Sequence, residues 1–125
     1  MAPKRGEAVA PPAADQEYEI RFGTSAAAAQ WPELCKRFTG NCREAWDSLR
    51  TWPLTRSPKQ KPLPGRLATR SISGMDLPQW QFDISSGALL VYCVDEKTGT
   101  VWLVDVSAAR PGATVAKGEQ SSTNR

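Results

Sequence analysis

The segment GRLATRSISGMDLPQWQFDISSGALLVYCVDEKTGTVWLVDVSAAR, from Gly65 to Arg110, decides the fold. Its apolar residues recur in runs that predict four strands, at residues 66–73, 78–84, 88–95 and 100–106. Between the runs stand Ser73-Gly74-Met75-Asp76, Ser85-Ser86-Gly87 and Glu96-Lys97-Thr98-Gly99, all rich in turn-forming residues. Connections this short leave no room for a crossover, so the four strands pair antiparallel.

Upstream, the period changes from two to helical. Ala27, Trp31, Leu34, Cys35 and Phe38 trace one helical stripe, capped by Thr24 or Ser25 after Gly23 and disturbed by Pro32, where a kink or restart is expected. Cys42, Ala45, Trp46 and Leu49 then follow the i, i+3, i+4, i+7 spacing of a second amphipathic helix. Asn41 and Glu44 have capping-box spacing at its start, and Pro53 stops it. The short Thr39-Gly40 link makes the two an antiparallel hairpin. Before them, Tyr18-Glu-Ile-Arg-Phe22 alternates as a half-buried strand does. Residues 53–65 form a proline-set connector. The expected architecture is α+β: two N-terminal helices on one face of a four- to five-stranded, mostly antiparallel sheet, in the order β-α-α-β-β-β-β.

Residues 1–16 and 115–125 have almost no branched or aromatic residues, and both are expected to be disordered tails flanking a domain at 17–114. No apolar leader and no run of membrane-spanning length is present, so the expected setting is cytoplasmic, with no membrane partner. The three cysteines lack CxxC spacing and read as small core residues in a reducing compartment. Histidine is absent, which excludes Ser-His-Asp and Cys-His catalysis and any zinc site built on histidine. No metal and no cofactor is expected.

Strand parity places Trp80, Phe82 and Ile84 on the helix-covered face. Leu90, Tyr92 and Val94, and then Trp102, Val104 and Val106, are expected to join them. The opposite face then carries Leu89, Val91, Cys93, Val101 and Leu103 beside Asp83 and Asp105. Two readings are open for that apolar second face. Either twist and chain ends bury the central strands, or the face is a groove that a partner segment covers.

Net charge is +3, but its distribution is more telling than its size. No acidic residue occurs between Ser48 and Met75, where Arg50, Arg56, Lys59, Lys61, Arg66 and Arg70 cluster. Such a local field attracts phosphates. A cation-rich site without histidine suits RNA cleavage by the ribose 2′-hydroxyl, because Arg and Lys stabilise the phosphorane without a metal. Arg cannot serve as the base, whereas a Lys crowded by cations can. Lys59, Lys61, Arg66, Arg70 and Arg110 are the available set, with a solvated basic surface as the plainer reading. Trp31, Trp46, Trp80 and Trp102 fall on core faces, which leaves Trp52, beside the basic loop, for base stacking.

Taken together, several segments resemble the RelE/ParE superfamily of bacterial type II toxins. They are Trp31-Pro-Glu-Leu34, Ala45-Trp-Asp-Ser-Leu49, Leu63-Pro-Gly65, Trp80-Gln-Phe-Asp-Ile84, Leu90-Val-Tyr92-Cys-Val-Asp95 and Val101-Trp-Leu-Val104. The closing Arg110-Pro-Gly-Ala-Thr114 is similar to the ending of one branch of these toxins. The resemblance implies a cognate antitoxin that wraps the toxin, and either metal-independent mRNA cleavage at the ribosome or inhibition of DNA gyrase by binding. A catalytically degenerate member acting as a binding protein is the third possibility. Gln81, Asp83 and Leu89 stand where the nucleases of this kind often carry cations, and Gly112 stands where the branch shows Lys. The expected site is therefore Arg110, Lys61 and Arg70 for catalysis, with Lys59, Lys61, Arg56, Arg66 and Trp52 for RNA. Leu89, Val91, Val101 and Leu103 are expected to meet the antitoxin.

Overall fold

The computed structural model describes residues 3–9 and 17–108. Strand β1 (Glu19–Phe22) leads through Gly23 into helix α1 (Ser25–Arg37), followed after Phe38 by helix α2 (Thr39–Thr51). Strand β2 (Gln60–Pro62), a 3-10 turn (Gly65–Ala68), β3 (Thr69–Ile72), β4 (Met75–Ser85), β5 (Ala88–Asp95) and β6 (Thr100–Ala108) complete it. The sheet has six strands in the order β1-β6-β5-β4-β2, with β3 paired to β4 off that path. All pairs are antiparallel except β1 with β6. Among the described residues, no helix is long and apolar enough to cross a membrane.

The α+β architecture thus stands, with six strands where four to five were expected. The additional strand is β2, three residues inside the proline-rich connector. Its Gln60 reaches Trp52 O with its side chain and lies opposite Phe82 of β4. The first expected meander strand is also divided, because residues 65–68 coil into a 3-10 turn before β3 begins.

Both helices form for the reasons legible in their sequences. Thr24 caps α1 by accepting the Ala27 N–H, and its own hydroxyl donates to Val104 O. Ala27, Ala28, Trp31 and Leu34 are the buried stripe, and α1 runs through Pro32 without a restart. Cys42, Ala45, Trp46 and Leu49 are the buried stripe of α2. The Asn41 side chain does not cap that helix. It donates to Ile84 O instead, tying α2 to β4. Behind the helices, Tyr92 is fully buried, and its hydroxyl donates to Pro53 O at 2.7 Å, which fixes the chain as it leaves α2.

The N-terminal segment departs from the expected disordered tail. Residues 6–9 run antiparallel along the outer edge of β1, with Gly6 N–H donating to Phe22 O, Phe22 N–H to Glu7 O, and Val9 N–H to Ile20 O. Val9 is buried in the main core. The physical reason is the open edge of β1, whose unpaired backbone groups are satisfied by any nearby extended segment. One branched side chain suffices to anchor it.

Gly23 stands at a close approach between the end of β1 and β6. A Cβ built there would lie 3.0 Å from Val104 Cγ1 and 3.2 Å from Leu103 O, so any larger residue would have to displace these neighbours where β1 ends beside β6. At the β3–β4 hairpin, Ser73 (φ 51°) and Gly74 (φ 82°) are both left-handed, as a tight two-residue turn requires.

Candidate functional site

Side-chain parity along β6 decides what the second face of the sheet offers. Val91 pairs with Asp105 but Tyr92 pairs with Leu103, so Val104 is an extra residue that bulges from the ladder. The bulge reverses parity. Val101 and Leu103 turn into the main core with no exposure, while Trp102 and Val104 turn to the second face. The structure therefore corrects two of the four residues expected to meet an antitoxin: Val101 and Leu103 are internal. Leu89 and Val91 do lie on the second face, each half-buried.

What covers that face is the chain itself. The β3–β4 hairpin places Ile72 and Leu77 over Cys93 and Val104, with Val91 and Trp102 packed at the margin. Burial pushes the Cys93 thiol up to about 11, against the opposing charge of Arg70. Arg70 shares its strand face with Ile72, two residues away, which places its guanidinium over this second cluster.

Beside the hairpin lies a polar cleft of about 460 Å³. Its walls come from three separate parts of the chain. Arg5 and Gly6 belong to the N-terminal segment, Gly23 and Thr24 to the turn into α1, and Arg70, Ser71 and Ser73 to the hairpin; Trp102 is also in the lining. Arg5 and Arg70 are exposed, and neither makes an ion pair among the described residues. The Trp102 indole N–H is buried without an acceptor among the described residues. Thr24 is the N-cap of a helix whose first turn holds no acidic residue, so the positive end of its dipole adds to the two guanidiniums. Two planar guanidinium groups suit bidentate capture of a phosphate. Among the described residues no carboxylate, lysine or histidine lines the cleft, so its charge is positive and it offers no conventional proton acceptor.

The expected cations scatter around this cleft. Arg70 lines it. Lys61 stands exposed on β2 opposite Gln81, whereas Arg70 on β3 is opposite Leu77, four residues away along β4 and so about 13 Å along the strand. Lys61 and Arg70 therefore do not converge as the expected catalytic pair. Lys59 forms an exposed ion pair with Glu44 at 2.8 Å, and its carbonyl accepts the Asp83 N–H. Arg56 and Arg66 are exposed in the loop and the 3-10 turn, away from the lining. Trp52 is 66% exposed at the end of α2, free to offer a ring face as expected. Arg110 lies outside the described residues. Arg5, Thr24, Ser71 and Ser73 were not foreseen as site residues. The one signal for Arg5 was the unpaired edge of β1, which needed a covering segment.

Among the described residues no group of three or more His, Cys, Asp or Glu is placed to hold a metal ion. Comparison with family models, with curated proteins and with solved structures gives no match.

Proposed function

We propose that this chain is a RelE/ParE-like toxin that acts in the cytoplasm by engaging RNA during translation, with the Arg5–Arg70 cleft as its phosphate grip and a cognate antitoxin as its inhibitor. One observation carries the reading. Two guanidiniums without ion-pair partners among the described residues flank a polar cleft formed by the N-terminal segment, the α1 cap and the β3–β4 hairpin. The helix-covered sheet and its strand order are in keeping with the family resemblance. Among the described residues the cleft supplies no general base, so RNA binding is the activity assigned to it. Of the surface expected to meet the antitoxin, Leu89 and Val91 remain open to a partner.

The test compares the wild-type protein with Arg5→Ala/Arg70→Ala for growth arrest on induction and for binding to a short single-stranded RNA across a salt series. Loss of two phosphate contacts lowers the slope of log affinity against log salt by about 1.4, at roughly 0.7 per contact on a single strand. Growth arrest should weaken in parallel. Unchanged salt slope and unchanged arrest would overturn the proposal. Arrest that persists together with inhibited supercoiling would assign the chain to the gyrase-binding kind instead.

A further inference from the structure

The helical hairpin carries a second pair of reactive groups, remote from the cleft in the lining it uses and independent of the function proposed for it. Cys35 lies in the last turns of α1 and Cys42 in the first turn of α2, with Phe38 the only residue between the helices. The two thiols lie close enough for each to shift the other's titration. Both line a cavity of about 400 Å³ together with Trp31, Trp46 and Arg43. Their exposures differ in a useful way: Cys35 is half-buried at the cavity wall, whereas Cys42 is only 2% exposed.

The same proximity makes the pair chemically unequal. Hydrogen bonding by Cys42 draws the Cys35 thiol below its usual range, although burial opposes this. Cys42 is moved the other way, first by the same interaction and then by burial. The reachable sulfur is thus the better nucleophile, and the sheltered one is held in reserve beside it. In a chain with no other cysteine nearby, this is the arrangement of an attacking and a resolving thiol. Cys93 is buried on the far side of the sheet, in the cluster under the β3–β4 hairpin.

We propose that Cys35 and Cys42 form a hydroperoxide-responsive dithiol that closes to an intramolecular disulfide across the helical hairpin. The Cys35 thiolate attacks the terminal oxygen of the hydroperoxide and breaks the O–O bond. Cys35 becomes a sulfenic acid, and the peroxide leaves as water or an alcohol. Cys42 sulfur then attacks the Cys35 sulfur, forming the S–S bond and releasing the sulfenic oxygen as a second water with the Cys42 proton. The two thiols lose two electrons and two protons in all, and the peroxide accepts them. A reducing thiol such as glutathione reverses the bond by exchange. Closing the ring joins the ends of α1 and α2, next to the Asn41 tie to β4.

The experiment exposes the full chain to a small excess of hydrogen peroxide and follows intact mass and differential alkylation. The expected result is the loss of two hydrogen atoms from the monomer, protection of Cys35 and Cys42 from alkylation, unprotected Cys93, and full reversal by reductant. Cys42→Ser should instead accumulate a sulfenic acid at Cys35 that dimedone traps. Cys35→Ser should react about tenfold or more slowly. Should either variant fold poorly, the wild-type mass and alkylation map still decide. A stable sulfenic acid in the wild-type protein, disulfide-linked dimers, or oxidation of Cys93 at the same rate would each overturn the proposal.

Discussion

The two faces of the sheet are built by different means. The helix side is a continuous core in which Tyr92, Leu90, Leu103 and Val101 have no exposure, built from β1, both helices, β4, β5 and β6 with Val9 of the N-terminal segment. The other side holds four buried residues, Ile72, Leu77, Cys93 and Val104, covered by one two-stranded arm. The first face is sealed by hydrophobic burial along the length of two helices. The second is sealed only in the middle, and its margins are left to arginines, serines and a tryptophan N–H. Stability belongs mainly to the first face, and the proposed recognition to the margins of the second.

The sharpest way to break this contrast is Leu103→Asp set against Leu89→Asp. Leu103 lies in the main core because of the Val104 bulge, so a carboxylate there should abolish folding, at a cost above about 4 kcal/mol. Leu89→Asp, on the half-buried face, should cost roughly 1 kcal/mol or less. Thermal melts followed by circular dichroism compare the two. Similar melting temperatures would mean that the bulge is misplaced and both faces are alike.

A smaller effect is expected where the faces meet. Gly23→Ala puts a methyl against Val104 Cγ1 and Leu103 O, and the overpacking should cost about 1–3 kcal/mol in chemical denaturation. Because Thr24 follows directly, the variant should also weaken RNA binding. A fully stable Gly23→Ala protein would show that β1 and β6 do not approach as described.

The smallest effect tests the second cluster alone. The folded-state pKa of Cys93 is raised, so the folded state keeps its proton longer than the unfolded chain does. Its contribution to stability is full below about pH 9 and is lost as pH rises toward about 11. Cys93→Ala should flatten this part of the pH–stability curve, whereas Arg70→Ala should extend it to higher pH, since the Arg70 charge opposes the shift. A Cys93→Ala curve that overlays the wild type would place that thiol in water.

Much of the fold is legible along the chain, and the exceptions share a cause. The stripe Cys42, Ala45, Trp46 and Leu49 found its helix, and β5 and β6 begin where their alternation begins. The bulge was invisible because Val104 is an ordinary strand residue, with no glycine or proline to mark the change of parity. β2 was hidden because three residues flanked by prolines carry no period, and only the neighbouring strand makes them extended. The segment at residues 6–9 has Val9 as its single buried anchor, and its conformation is dictated by the β1 edge rather than by its own composition. As for the site, local charge drew attention to Arg70, expected as a catalytic residue, and the structure places it in the lining of the cleft. Arg5, distant in the chain, could be joined to it only by tertiary structure.

The parallel pairing of β1 with β6 has a consequence for synthesis. Thr24 and Val104, which hold the α1 cap to the last strand, are 80 positions apart. A chain emerging from the ribosome releases its helical hairpin early, with nothing yet to pack beneath it. Trp102 and the partner strand of β1 come last among these parts, so the cleft is absent from any chain that stops short of β6. Closing so long a loop is slow relative to forming helices. In the proposed toxin the grip would therefore form only once β6 has been made, and a binding partner would have that interval in which to reach the chain.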